Sequence, residues 1–149
     1  MAQVTTYGEP TLRADDGFQR FTSTDSADND SDKTITVPTG FTWIIANIFV
    51  TLVATADAGN RQMTVLITDP AGVALGNVKA DSVQIASATE YYSFTPVAGI
   101  ATEAPAGYHY ASLPSFILDA GSTIRVYDSA AIQPAADDMI VTVTGAAYH

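Results

Sequence analysis

Only two side chains in the sequence, His109 and His149, could serve as a neutral-pH base for a serine or threonine nucleophile. His149 closes the sequence and is not expected to sit in a rigid site. His109 lies between Tyr108 and Tyr110 in a stretch rich in Ala, Gly and Pro, and no Gly-x-Ser-x-Gly elbow occurs. Cysteine is absent, which excludes a thiol nucleophile, a thiolate metal site and a disulfide framework. Two adjacent acidic pairs, Asp15-Asp16 and Asp137-Asp138, have the residue types for acid/base work. Neighbours along a strand point to opposite faces, so adjacency does not bring both carboxylates into one site, and solvated turns are the expectation. The run from Asp25 to Asp32 offers hard oxygen ligands of the kind Ca²⁺ selects, but lacks the glycine and distal glutamate of an EF-hand loop. It reads as a solvated acidic loop. No phosphate-cradling or dinucleotide motif is present, so the sequence supports no catalytic residue, no metal ligand and no cofactor.

The elements that must carry these residues are strands. Residues 41–54 form the longest apolar stretch and are dominated by β-branched and aromatic residues. Read as one continuous strand, Ile44, Ala46, Ile48, Val50, Leu52 and Ala54 make a wholly apolar face that looks into a core. Trp43, Ile45, Asn47, Phe49, Thr51 and Val53 make a second face that is too apolar for bulk water. That face needs a cover, either another segment of this chain or a second copy. Trp43, Ile45 and Phe49 are accordingly the candidate subunit interface, with burial under the chain's own N-terminal segment as the alternative.

Residues 1–32 are polar, acidic and poor in large aliphatics, which predicts an extended N-terminal arm, with a short strand at 18–23, that orders by lying on something else. Tyr7, Phe18 and Phe21 are its candidate anchors. Residues 33–149 alternate in short apolar and polar runs, broken by turns such as Asp69-Pro70-Ala71-Gly72 and Asp119-Ala120-Gly121-Ser122. Strands are expected near 33–37, 61–68, 73–78, 82–86, 90–95, 116–118, 123–127 and 139–144. Residues 96–114 form the longest expected loop, with Tyr108, His109 and Tyr110 as an exposed contact. The fold class that follows is all-β, a two-sheet antiparallel sandwich of eight or nine strands, of jelly-roll type.

At 149 residues a core can form without covalent staples. Sixteen acidic residues against six basic ones give a formal charge of −10. That balance opposes binding to nucleic acid or to an anionic membrane. The first ten residues hold no basic segment followed by an apolar run, so no secretory signal is expected there.

Several segments together resemble the small all-β structural proteins of tailed bacteriophages: Gly59-Asn60-Arg61-Gln62, Asp69-Pro70-Ala71-Gly72, residues 86–94, residues 118–126 and residues 136–141. The resemblance is to jelly-roll capsid decoration, or cement, proteins, and it runs from about residue 33 to residue 145. It implies a non-enzymatic virion protein on the capsid exterior, made in the bacterial cytoplasm. The implied partner is the major capsid protein, bound by homotrimers at three-fold positions that tie capsomers together. Rival readings are a carbohydrate- or receptor-binding module of a tail or fibre, with Tyr108, His109, Tyr110, Tyr91 or Tyr92 as stacking platforms, and a head–tail connector protein.

Overall fold

Strand pairing in this chain is nested, early strands with late ones. The computed structural model describes residues 19–26, 31–96 and 106–149, together with the backbone of residues 4 and 5. Strand β2 (Gln19–Asp25) pairs with β11 (Asp138–Tyr148), β3 (Asp32–Thr36) with β10 (Thr123–Asp128), β4 (Thr42–Val53) with β7 (Thr89–Thr95), and β5 (Met63–Thr68) with β6 (Ala74–Lys79). All four pairings are antiparallel. They lie side by side in two sheets, β2-β11-β4-β7 and β3-β10-β5-β6. A long hairpin rolled up in this way is the eight-stranded jelly roll.

Three further strands extend the larger sheet. β1 (Val4–Thr5) runs parallel to β2, β8 (Tyr108–Ser112) runs parallel to β7, and β9 (Ile117–Leu118) pairs with the start of β4. Two expectations need correction here. Residues 82–86 form no strand and contribute a single bridge, Gln84 to Arg61. The expected loop at 96–114 contains β8, so Tyr108, His109 and Tyr110 are strand residues.

Between the sheets lies one apolar core. The alternation expected for the smaller sheet holds: Met63, Val65 and Ile67 of β5 and Ile124 and Val126 of β10 all point inward and are fully buried. From the larger sheet come Ile48, Val50 and Leu52 of β4, Met139, Val141 and Val143 of β11, and Tyr92 and Phe94 of β7. Each such aliphatic side chain contributes roughly 1.5–3 kcal/mol by leaving water.

β4 does not keep one face throughout. Its register with β11 passes from Thr144 opposite Asn47 to Gly145 opposite Ile45, so Ala46 is an extra residue. Because the side-chain period is two, one inserted residue exchanges the faces. Trp43 and Ile45 therefore point into the core on one side of the bulge, and Ile48, Val50 and Leu52 do so on the other. The expected single apolar face is right beyond the bulge and reversed before it.

That reversal corrects the candidate interface. Trp43 and Ile45 are each only 1% exposed and belong to the core of their own chain. What covers Trp43 is Phe21, whose ring stacks on it at 4.0 Å between centroids and 23° between planes. Phe21 is opposite Gly145, which is opposite Ile45. A Cβ on Gly145 would overlap the Ile44 carbonyl oxygen and come within 2.9 Å of the Phe21 ring, so glycine makes the space in which rings from two non-adjacent strands meet.

The boundary between arm and sandwich moves with Phe21. Gln19–Asp25 is a full strand of the larger sheet, and Phe21 is a core residue rather than an arm anchor. The sandwich thus begins by Gln19, not at Lys33. Tyr7 and Phe18, the other two candidate anchors, lie outside the described residues.

Candidate functional site

Beyond the bulge, the outward face of β4 carries Asn47, Phe49, Thr51 and Val53. Register extends it into two rows across the sheet. One row runs Thr24, Thr142, Phe49, Ser93, Tyr110, and the next runs Ile140, Thr51, Tyr91, Tyr108. None of these side chains is charged, so covering them requires no desolvation of an ion. Their hydroxyls are partly tied down on the sheet: Ser93 Oγ donates to Asn47 Oδ1 at 2.7 Å, and the Thr24 and Thr142 hydroxyls are 3.2 Å apart. Tyr110 is 39% exposed, Ile140 41% and Val53 43%.

The aromatic rings on this face stand beside one another. Phe49 and Tyr91 are 6.3 Å apart at 21°, and Tyr91 and Tyr108 are 4.5 Å apart at 18°. Tyr91 lies on the middle strand of the three and is near both other rings. Of the three candidate interface residues on β4, only Phe49 is on this outer face.

His109 points the other way from Tyr108 and Tyr110, as strand alternation requires. Its ring stacks on Tyr92 at 5.0 Å. Nδ1 is 2.7 Å from Ser82 Oγ, and Nε2 is 2.8 Å from Glu90 Oε2. Glu90 is also 3.1 Å from the Tyr92 hydroxyl, which lies at the same distance from Gln84 Oε1. Gln84 in turn donates its amide to the carbonyls of Leu52 at 2.9 Å and Ala88 at 2.8 Å. Burial, and then the neighbouring Glu90 carboxylate, push the Tyr92 phenol far above its ordinary value, so it stays a proton donor.

Chemically, Ser82, His109 and Glu90 are linked in the order nucleophile, base, carboxylate. The imidazole nitrogens are exchanged relative to the serine-protease arrangement, with serine on Nδ1 and the carboxylate on Nε2. The chain of contacts joins the 80–88 loop to β7 and β8, and so holds the edge strand that displays Tyr108 and Tyr110. His109 was legible as the only internal histidine. Ser82, Gln84 and Glu90 were not, because they lie on the 80–88 loop and on β7, which no local spacing relates to His109 on β8.

A second polar cluster lies among the loops. Asp137, expected in a solvated turn, is fully buried and receives Arg61 Nε at 2.8 Å and Nη2 at 3.1 Å. It also accepts the Thr55 backbone N–H at 2.7 Å and the Thr55 hydroxyl at 2.8 Å. Arg61 completes its shell on the carbonyls of Asp57 and Gly59. Burial by itself would raise the Asp137 carboxyl, but the Arg61 and Thr55 hydrogen bonds outweigh it and hold the group below the usual carboxylate range. The Asp137 bond in turn raises Arg61, against its own burial.

The acidic run near residue 30 is only partly in view, since residues 27–30 and the pair Asp15-Asp16 lie outside the described residues. Asp25 is 3.7 Å from Lys33, and Asp32 makes a bidentate pair with Arg125 at 2.8 and 2.5 Å. Among the described residues no three acidic or histidine side chains group to hold a metal. His149 packs edge-on against Phe41 at 5.4 Å. A cavity of about 420 Å³ opens beside Ser23, Thr34, Thr36 and Trp43, and among the described residues no acidic or basic side chain lines it. No known family model matches the chain, and no curated protein matches it.

Proposed function

We propose that this protein is a non-enzymatic structural component of a tailed-phage virion, binding the outer surface of the capsid as a trimer and tying neighbouring capsomers together. The observation that carries the reading is the uncharged aromatic face built on Phe49, Tyr91, Tyr108 and Tyr110. On a chain of net charge −10, a sheet face whose two central rows carry no charge, with Asp138 beside Val53 at their margin, is a surface on which like-charged copies can meet at low electrostatic cost. The subunit contact is assigned to that face, and no longer to Trp43 and Ile45.

No chemistry is needed for such a role. A protein that binds the assembled shell and not its separated parts stabilises the shell by RT ln(1 + [L]/Kd) per site. Sugar stacking, the rival use of these aromatics, needs an open ring face. Tyr91 already stacks on Tyr108 at 4.5 Å, which leaves it less ring face for a sugar and disfavours the carbohydrate reading at that residue.

Light scattering on a sizing column tests the reading. The expected result is a trimer for the wild-type chain and a folded monomer for Phe49→Asp and for Tyr108→Asp. A wild-type monomer that also fails to sediment with capsid shells would end the proposal.

A further inference from the structure

Three loops meet at one end of the sandwich. Ala54 N–H donates to Ala88 O at 2.9 Å, Ser87 N–H to Thr55 O at 2.8 Å, and Ser129 N–H to Gln62 O at 3.0 Å, so residues 54–62, 80–88 and 129–137 are fastened to one another. The buried Arg61–Asp137 pair lies beneath them. Three non-glycine residues in these loops, Ser87, Ala131 and Gln133, hold left-handed backbone at φ 60°, 53° and 44°. Such conformations persist only where the surroundings over-determine them. This end of the molecule has a fixed shape.

What it displays is set by Gln84. That residue is fully buried; its backbone exchanges hydrogen bonds with Arg61 and its side chain is held by Leu52, Ala88 and Tyr92. Chain neighbours in extended backbone point oppositely, so fixing Gln84 inward sends Val83 and Ile85 outward. They are 45% and 61% exposed. Two β-branched apolar side chains are thus presented to water by a polar residue that occupies the inside position.

The exposed charge within these loops has one sign, with Lys79 exposed beside them at the end of β6. These loops contain four charged residues, Asp57, Arg61, Asp81 and Asp137. Arg61 and Asp137 neutralise each other out of contact with water, which leaves the exposed Asp57 and Asp81. Nucleic acid and anionic lipid are repelled by such a surface.

We infer that this loop end is a preformed docking surface for a protein whose matching patch is apolar, receives Val83 and Ile85, and carries lysine or arginine at its rim opposite Asp57 and Asp81. Taking the capsid reading above as its premise, the inference names that partner as the major capsid protein. The aromatic sheet face then joins copies of this chain to one another, and the loop end joins them to the shell.

The test is sedimentation with shells assembled from the major capsid protein encoded in the same phage genome. V83S/I85S changes only exposed side chains and keeps the charge, so its melting temperature and trimer mass should match wild type while its affinity for shells falls at least tenfold. D57N/D81N should weaken binding about threefold at low salt and flatten its dependence on NaCl. Wild-type sedimentation that V83S/I85S leaves unchanged overturns this inference alone and leaves the decoration reading standing. Failure of the wild-type chain to sediment at all overturns both, since the named partner is then wrong.

Discussion

Arg61 and Asp137 face each other at 2.8 Å, 76 positions apart in sequence, with neither side chain in contact with solvent. All of the Asp137 oxygen contacts and most of the guanidinium donors are used within the loops. Removing either member leaves the other as an uncompensated buried charge. Arg61→Met and Asp137→Ala should each lower unfolding free energy by about 3–5 kcal/mol in urea titrations. A loss below about 1 kcal/mol would mean that the pair is not buried in solution.

The same pair predicts an acid limit. Asp137 titrates lower in the folded protein than in the unfolded chain, so the unfolded state binds the proton more readily. The carboxylate's contribution is therefore complete above the unfolded value near pH 4 and is lost as pH falls through the folded value. Stability measured from pH 6 downward should decline below about pH 4, and Asp137→Asn should show a shallower decline. Parallel curves would assign the acid sensitivity to other carboxylates.

Tyr92 should resist ionisation while the protein stays folded. Burial and Glu90 raise its phenol so far that it titrates only as the fold opens in alkali. Absorbance near 295 nm followed with rising pH should show a late phase coincident with unfolding. Tyr92→Phe should remove part of the late phase, and an unaltered late phase would place another phenol there.

His109 fastens β8 through Ser82 and Glu90. His109→Ala should loosen that edge strand, with faster amide exchange across 108–112 and a loss of about 1–3 kcal/mol from the groups left unpaired. Exchange that is unchanged at Tyr108 and Tyr110 would show that the parallel ladder with β7 suffices.

Gly145 has no room for a side chain. Gly145→Ala drives a methyl into the Ile44 carbonyl and against Phe21, and should cost about 3 kcal/mol or more by spoiling the bulge or the Phe21–Trp43 stack. Reduced near-ultraviolet circular dichroism from Trp43 would report the loss. A substituted protein as stable as wild type would mean that the strands carry no bulge at that point.

Strand content and the jelly-roll class were legible because the core positions of β5, β7, β10 and β11 alternate strictly and turn residues separate them. The faces of β4 were not, because Ala46 looks like any other member of an apolar run and the residue that makes it a bulge, Gly145, lies on another strand. Phe21 misled for a related reason. Its strand is short of aliphatics and reads as an arm, yet one aromatic side chain over a glycine suffices to seat it in the sheet. At the contact face, Tyr108 and Tyr110 were visible as aromatics, whereas their alignment with Tyr91 and Phe49 depends on a parallel pairing across residues that carry no periodic signal. Val83 and Ile85 read as a strand for the same apolar alternation that the loop uses to point them outward.

The nested pairing also bears on how the chain is made. The Thr24 and Thr142 hydroxyls that meet across β2 and β11 are 118 positions apart, and β11 sits between β2 and β4, in the interior of the larger sheet. Neither half of the chain can build that sheet alone. Contacts of such long sequence separation make folding slow, because the loop-closure entropy is lost before the contacts form. On a ribosome, the larger sheet cannot close until β11 has left the exit tunnel, so the sheet that carries the aromatic face is finished only after β11 is made.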